Sequence, residues 1–221
     1  MSDQSKIFLK FEADNWYRRN SKALINNELL KKDKYILLVQ LEKIIKKYPN
    51  KSLNILEIGC ANGRILNYLK NKFPKISVFG LEPSKLAIKN KLSNEIRIKL
   101  GVAHKLPFKK GKFDLVIFGA CLLYTDTDDL FSIAAEANRV TAPNAYIIID
   151  DYFREKTQYF QYRHKEEVLV RKMDYSKIFL WHPFYSLLSR KITNNRIKFK
   201  NKFINDSSAV FILKKNSINN F

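Results

Sequence analysis

The sequence of 221 residues predicts an α/β fold with a doubly wound, mostly parallel sheet, and three observations support this prediction. Apolar segments alternate with helical patterns, which is typical of parallel strands joined by right-handed crossover helices. The stretch Leu53–Gly63 reads as a buried strand that ends in a carboxylate, a glycine turn and the start of a helix. About 20 residues later a second strand ends in Glu82, and an acid at that spacing strengthens the pattern.

The individual elements follow from local patterns, taken in chain order. Residues 1–50 read as helical, and the helix Asp33–Tyr48 carries apolar residues at a helical period before Pro49 ends it. Seven segments read as strands, namely Leu53–Ile58, Ile76–Leu81, Ile96–Leu100, Phe113–Phe118, Ala145–Ile149, Ile197–Ile204 and Ala209–Leu213. The predicted connections include helices at Arg64–Lys72, Ser84–Asn90 and Asp128–Val140, and a turn at Pro143–Asn144.

Four parts are expected along the chain. Residues 1–50 form an N-terminal helical lid, and residues 51–151 form the core of the sheet. Residues 152–195 form a substrate cap, because this aromatic, charged stretch is too long for an ordinary connection after the fifth strand. Residues 196–221 supply the closing strands. For the lid, the aromatic residues beside Arg18 and Arg19 leave two interpretations open, a cover over a cofactor or an apolar contact with the core.

Composition narrows the class of protein. A hydrophobic content of 46% argues against disorder, and two cysteines imply no disulfide framework, which fits a cytoplasmic protein. No signal peptide or membrane span is expected. The net charge of +20 has two interpretations, a polyanionic partner such as RNA or a nucleotide-activated substrate, or a lysine-rich coding bias with a solvated surface.

The ends of the predicted strands define a candidate site. In open α/β sheets ligands bind beyond the carboxyl ends of the strands, and here those ends carry acids, glycines and small residues. The segments concerned are Glu57–Gly59, Glu82, Gly101–Ala103, Phe118–Gly119 and Asp150–Asp151. A phosphate-binding loop is disfavoured because no Gly-Lys-Ser/Thr follows, and the glycine spacing differs from that of a nicotinamide dinucleotide site.

The segment Glu57-Ile58-Gly59-Cys60-Ala61-Asn62-Gly63 resembles the first motif of class I S-adenosylmethionine-dependent methyltransferases, with Ala61 at the usual middle glycine. The resemblance implies a Rossmann-like sheet whose last strand is antiparallel, and S-adenosyl-L-methionine as cofactor. It also implies that the glycine turn approaches the methionyl part and that Glu82 holds the ribose hydroxyls. The implied cofactor-binding residues are Trp16, Arg19, Glu57, Gly59, Ala61, Gly63, Glu82, Pro83, Ala103, Phe118 and Gly119.

Two positions depart from this family pattern. Val102 stands where relatives usually have an Asp near the adenine, and Tyr124 stands where many have His. Methyl transfer needs positioning above all, and a base helps when the acceptor is an alcohol or an ammonium. The catalytic candidates are Asp151, Asp150, His164 and Tyr124. The three histidines lack ligand spacing, so no metal site is indicated.

The cap and the segment from Trp16 to Asn20 extend the resemblance to a methylase family associated with pseudaminic acid biosynthesis. This resemblance implies an anionic small-molecule acceptor, such as a nonulosonic acid or a nucleotide-activated sugar. Arg163 and Arg171 are then candidates to pair with a sugar carboxylate. Two alternatives stay open, an RNA-modifying methyltransferase and a non-catalytic regulator that binds the cofactor.

Overall fold

A computed structural model describes residues 2–25, 35–199 and 202–217. Within these residues the largest element is a seven-stranded sheet. Its strands are β1 (Asn54–Ile58), β2 (Ser77–Glu82), β3 (Arg97–Leu100), β4 (Phe113–Gly119), β5 (Thr141–Tyr152), β8 (Tyr185–Phe199) and β9 (Lys202–Lys215). They lie in the order β3-β2-β1-β4-β5-β9-β8. Strands β1 to β5 are mutually parallel, whereas β9 runs antiparallel to both of its neighbours, as predicted.

Helices cover both faces of the sheet. The helices of the described chain are α1 (Asp3–Ile7), a π-helical segment (Phe8–Glu12), α2 (Ala13–Ile25), α3 (Ile36–Lys46), α4 (Arg64–Lys72), α5 (Lys85–Lys89), α6 (Leu130–Val140) and α7 (Lys177–Leu180). A 3₁₀ turn spans Leu122–Tyr124. The first residues of the predicted helix Asp33–Tyr48 lie outside the described residues. Within the described part of the chain, no helix combines the length and the apolar character that a membrane span requires.

The central strands are buried on both faces, and this explains their continuous apolar sequences. Side chains alternate across a strand, so Leu56 and Ile58 pack with α6 and α7, whereas Ile55 packs with α3 and α4 on the opposite face. The edge strand β3 is mostly exposed and alternates with basic residues, as the sequence indicates. The crossover topology therefore places the carboxyl ends of β1, β2, β4 and β5 at one edge.

Two boundary predictions were wrong. The predicted turn at Pro143–Asn144 lies inside β5, where Asn144 has a φ of 59° and the pairing with β4 shifts register after Phe113. The irregularity is real, but hydrogen bonding resumes on both sides of it, so the strand begins at Thr141. The predicted strand Ile197–Ile204 instead covers the end of β8 and the start of β9.

The predicted cap boundary at residue 195 also needs correction, because β8 joins the sheet from Tyr185 onward. An edge strand with one solvated side need not be apolar. The polar sequence of β8 therefore did not indicate that a strand begins at Tyr185. The remaining segment between β5 and β8 contains a hairpin, β6 (Gln158–Gln161) with β7 (Leu169–Lys172), and helix α7. The division of the chain into four functional parts stays a prediction.

A close approach inside the core gives a stability test. A Cβ added at Gly80 would lie 2.4 Å from the Cys60 Sγ and 3.2 Å from Ile98 Cγ1. We expect Gly80→Ala to lower the free energy of unfolding by about 1–3 kcal/mol, because overpacking forces the neighbours apart. In a urea-unfolding mutant cycle, Gly80→Ala should cost much less in a Cys60→Ala background, where the sulfur is absent. Equal costs in both backgrounds would show that this contact is not the cause.

Candidate active site

A cavity of about 370 Å³ lies at the carboxyl ends of the parallel strands, beneath the N-terminal helices. Nine of the predicted site residues line it, namely Trp16, Glu57, Gly59, Ala61, Glu82, Pro83, Ala103, Gly119 and Tyr124. Six do not line it, namely Arg19, Gly63, Phe118, Asp150, Asp151 and His164. The structure thus brings most of the predicted cofactor residues together, and their individual roles stay predictions.

The turn after β1 has an unusual backbone. Gly59 has a φ of 74°, and a Cβ there would lie 2.6 Å from the Cys121 Cβ, so only glycine fits without displacement. Ala61 is also left-handed, with a φ of 49°. Its backbone N–H donates a hydrogen bond of 2.7 Å to Glu82 Oε2. Glu82 therefore holds the turn in a conformation that alanine rarely adopts.

Glu82 is 6% exposed at the end of β2. Besides the Ala61 contact, its Oε1 accepts a hydrogen bond of 2.9 Å from the backbone N–H of Ser84. Burial raises the pKa of Glu82 to about 7, and the two backbone donors oppose this rise. Each carboxylate oxygen can accept a further hydrogen bond, so the group retains capacity for hydroxyl donors in the cavity.

Glu57 is the second buried carboxylate, at 3% exposure, and its Oε2 has no hydrogen-bond partner. Burial raises its pKa from the ordinary 4.5 to about 8; the Arg64 guanidinium opposes this rise and Glu82 adds to it. A buried acceptor without a donor is costly, and a cationic or N–H-bearing ligand group would compensate it. The amino group and the sulfonium of S-adenosylmethionine are cationic, so these residues fit that cofactor.

The wall beyond β3 contains the loop Gly101–His104. His104 Nδ1 lies 3.5 Å from Asp129 Oδ2, and the same carboxylate oxygen accepts hydrogen bonds from the hydroxyls of Ser2 and Ser5. Asp129 thereby ties the start of the N-terminal helical region to the cavity wall. Sequence analysis missed this contact, because no local pattern links residues so far apart in the chain.

Another part of the cavity wall is aromatic. The Trp16 Nε1–H donates to the Tyr124 hydroxyl at 3.3 Å, and the Tyr124 ring lies 5.5 Å from the rings of Phe8 and Tyr162. Burial raises the pKa of Tyr124 above its ordinary value. Tyr124 is therefore a neutral hydroxyl that faces the cavity, suited to orient an acceptor rather than to remove a proton.

The N-terminal helices are fastened over the cavity by polar contacts. Gln4 Nε2 donates to the carbonyl oxygens of Tyr124 and Leu169, at 2.6 and 3.0 Å. The Asp14 carboxylate accepts from the Ser84 hydroxyl at 2.6 Å and from the Leu86 N–H at 3.0 Å. These polar contacts fix the N-terminal helices to the rest of the fold, and their role as a lid over a cofactor stays a prediction.

Arg19, predicted at the cofactor, instead serves the junction between lid and hairpin. Its guanidinium donates to the Glu12 carboxylate and, at 2.9 Å, to the Tyr162 hydroxyl. The Tyr162 hydroxyl donates to Glu12 Oε1 at 3.1 Å. Glu12, in the π-helical segment, is 2% exposed. The sequence did not indicate this buried carboxylate, because no local pattern predicts that Arg19, seven residues later, and the distant Tyr162 both reach it.

The three acid–base candidates lie outside the cavity wall. Asp151 is 2% exposed, and its carboxylate accepts backbone N–H bonds from Leu122, Leu123 and Tyr152. Asp150 accepts a 2.8 Å hydrogen bond from the Tyr35 hydroxyl, and burial raises its pKa to about 6. His164 is exposed between β6 and β7. The geometry gives Asp151 a structural role and leaves its catalytic assignment without support.

Comparisons with known proteins agree with this geometry. Residues 56–149 match a family model described as a methyltransferase domain. An uncharacterized methyltransferase of Schizosaccharomyces pombe is 30% identical over 114 residues, which is 46% of this chain and 40% of that protein. The ribosomal protein L11 methyltransferase of Thermosipho melanesiensis is 27% identical over 78 residues, 34% of this chain and 30% of that one. The chain thus spans less than half the length of these curated relatives.

Solved structures show the same fold at low sequence identity. A SAM-dependent methyltransferase from Methanosarcina mazei superposes with a TM-score of 0.62 at 18% identity, covering 78% of this chain and 97% of that one. A Burkholderia thailandensis 1,6-didemethyltoxoflavin-N1-methyltransferase, solved with its substrate and S-adenosylhomocysteine, gives 0.61 at 12% identity, covering 92% and 91%. The predicted fold is confirmed. The domain match and the S-adenosylhomocysteine in the Burkholderia structure support the predicted cofactor, S-adenosyl-L-methionine. Membership of the family associated with pseudaminic acid biosynthesis stays a prediction.

The raised pKa of Glu57 predicts how stability depends on pH in the protein without ligand. The folded state holds a proton on Glu57 between about pH 4.5 and pH 8, whereas the unfolded state has lost it. The contribution of Glu57 to the free energy of unfolding therefore falls as the pH rises through that window. Glu57→Gln should raise Tm at pH 8 by roughly 3–6 °C and change it little at pH 4.5.

The control for this experiment is Glu95→Gln, which changes an exposed carboxylate. Its Tm should follow the wild-type pH dependence. If Glu57→Gln lowered Tm at pH 8, the uncompensated burial inferred for Glu57 would be refuted.

Proposed function

We propose that the protein is a class I S-adenosylmethionine-dependent methyltransferase that methylates an anionic small molecule; residues 56–149 match a family model described as a methyltransferase domain. The observation that carries the proposal is the cavity itself. Two buried carboxylates, Glu57 and Glu82, face it from adjacent strands beside a turn with left-handed residues. The same cavity is lined by Trp16 and Tyr124, the aromatic residues that we assign to the acceptor.

The proposed mechanism depends on positioning. When bound, S-adenosylmethionine supplies a methyl group already activated on a sulfonium sulfur. Glu82 would accept hydrogen bonds from the ribose hydroxyls, and Glu57 would compensate positive charge at the methionyl end. The lid residue Trp16 and the wall residue Tyr124 exclude water and orient the acceptor for in-line transfer. No base is assigned, because none of the acid–base candidates reaches the cavity wall.

Arg171 supports an anionic acceptor. Its side chain on β7 is only 2% exposed, yet within the described chain no carboxylate forms an ion pair with it. Its Nη atoms donate to the hydroxyls of Thr127 and Thr125, at 3.0 and 3.3 Å, and its buried Nε has no partner. A buried, permanently charged guanidinium without a counter-charge is costly.

Thr125 connects this cation with the cavity, because Thr125 lines the wall and its hydroxyl accepts a hydrogen bond from the guanidinium. A carboxylate or phosphate of an acceptor beside Thr125 would therefore be attracted by the positive charge of Arg171, with only the Thr125 side chain between them. Within this acceptor class we favour a nonulosonic acid or a nucleotide-activated sugar, on the strength of the sequence resemblance in the cap. The proposed setting is the cytoplasm, which agrees with the free thiols of Cys60 and Cys121.

The proposed activity is tested by calorimetric titration with S-adenosylmethionine and by release of S-adenosylhomocysteine in the presence of acidic sugars, neutral sugars and RNA. Wild-type protein should bind the cofactor and turn over with acidic sugars only. Glu82→Gln should weaken cofactor binding by about 10–100-fold, because it removes a charged hydrogen-bond acceptor worth ~1.5–3 kcal/mol. Glu95→Gln is the matched control. Turnover with RNA alone would refute the small-molecule acceptor, and unchanged affinity in Glu82→Gln would refute the ribose assignment.

Arg171→Met tests the anionic acceptor separately. Replacing an uncompensated buried cation with an apolar side chain of similar length should leave Tm unchanged or higher without ligand. The KM for the acidic acceptor should rise by about 10-fold or more, with the cofactor affinity unchanged, because the counter-charge is lost. Arg171→Lys keeps the charge, and its KM for the acidic acceptor should lie between those of the wild type and Arg171→Met. A large fall in Tm with an unchanged KM would instead assign Arg171 a structural role.

A further inference from the structure

The cavity does not account for the net charge of +20, and a group of cations outside the cavity stands out. We define the basic cluster as Arg97, Lys99, Lys109 and Lys112, which lie on the edge strand β3 and on the segment that precedes β4. None of the four lines the cavity. The cluster is therefore separate from the site at the carboxyl ends of the strands.

Three phenylalanines form the floor of the basic cluster. The rings of Phe79, Phe108 and Phe113 pack edge to face, with centroids 5.1 to 6.3 Å apart. The Lys112 Nζ lies 3.8 Å from the centroid of the Phe79 ring and 5.4 Å from that of Phe113. Cations held over ring faces in this way have defined positions rather than freely moving heads.

Two further cations stand over the same rings. The Arg97 guanidinium lies 5.3 Å from the Phe79 centroid, and the Lys99 Nζ lies 5.3 Å from that of Phe108. Lys99 is also fixed by a 3.0 Å hydrogen bond to the carbonyl oxygen of Pro107. Arg97 and Lys99 are two residues apart on one strand, so both project from the same side of β3.

The cations of the basic cluster repel one another, and the described residues supply no acid that pairs with them. Burial lowers the pKa of Lys112, and the neighbouring charges of Lys99, Arg97 and Lys109 lower it further. Among the described residues, no carboxylate comes within ion-pair distance of any of the four cations. Glu95, although only two residues before Arg97, forms no ion pair with it. Elsewhere in the protein lysines form ion pairs, as Lys51 does with Asp114 and Lys72 does with Glu42.

We propose that the basic cluster is a docking surface for the sugar–phosphate backbone of a nucleic acid. A polyanion with regularly repeated charge matches several fixed cations better than a single small anion does. The cations cover the phenylalanine faces, so bases have no exposed ring on which to stack, and binding is independent of sequence. The nucleic acid is a partner held outside the cavity and not the methyl acceptor.

The test is the salt dependence of binding to a 20-base-pair duplex DNA, measured by fluorescence anisotropy. Each phosphate contact contributes about 0.9 to the slope of log K against log salt. The variant Arg97→Gln/Lys99→Gln/Lys109→Gln/Lys112→Gln should reduce this slope by about 3–4 and weaken binding at least 10-fold at low salt. Two duplexes of unrelated sequence should bind equally well.

A matched control removes four other exposed lysines, Lys43, Lys47, Lys156 and Lys177, with the same loss of charge. This control should reduce the slope by less than about 1. A second variant, Arg97→Lys/Lys99→Arg/Lys109→Arg/Lys112→Arg, keeps the charge and should keep the binding, which separates charge loss from misfolding.

Equal losses in the glutamine variant and the control would overturn the proposal, because general surface charge would then explain binding. An unchanged slope in the glutamine variant would also overturn it. If the variant lost binding to phosphatidylserine vesicles while duplex binding persisted, the surface would be a membrane contact instead. Since methyl transfer is not measured here, these outcomes are independent of the proposed enzymatic activity.

Discussion

The burial of two carboxylates at neighbouring strand ends is the constraint on which the rest of the site depends. Strands β1 and β2 are parallel and in register, so Glu57 and Glu82 reach the same edge of the sheet. Burial opposes ionisation of both groups, and their proximity adds to this effect for Glu57. Glu82 is stabilised by two backbone donors, whereas Glu57 keeps an unpaired oxygen. The site is thus prepared for a ligand that brings positive charge and hydroxyl groups.

Hydrogen bonds connect these carboxylates with the lid. Ser84 donates its backbone N–H to Glu82 and its hydroxyl to Asp14, so the start of helix α5 lies between the cofactor site and the N-terminal helices. Asp129 fixes the beginning of the lid through Ser2 and Ser5. A ligand that occupies the cavity would contact both the floor and the cover, and water exclusion would follow from the same contacts that hold the cover in place.

Charge is divided between the inside and the outside of the molecule. The cavity wall carries the carboxylates Glu57 and Glu82, and outside this wall the Arg171 guanidinium donates to the hydroxyl of the wall residue Thr125. The basic cluster on β3 places fixed cations on the surface, without acids nearby among the described residues. The excess positive charge therefore need not serve the chemistry of the cavity, and a docking role explains it without requiring a nucleic acid substrate.

The sequence alone determined the order of β1 to β5, the helices between them and the turn after β1, because these depend on local apolar period, glycine and the position of Glu82. It did not indicate the hairpin of β6 and β7 or the polar strand β8. It also placed nine site residues around one cavity, since parallel strands end at a common edge. Only the tertiary structure decided that Glu12 pairs with Arg19 and Tyr162, that Asp151 binds backbone N–H groups, and that Arg171 is buried without an acid. Those facts depend on which side chains and backbone groups the folded chain brings together, and no local period or motif encodes these pairings.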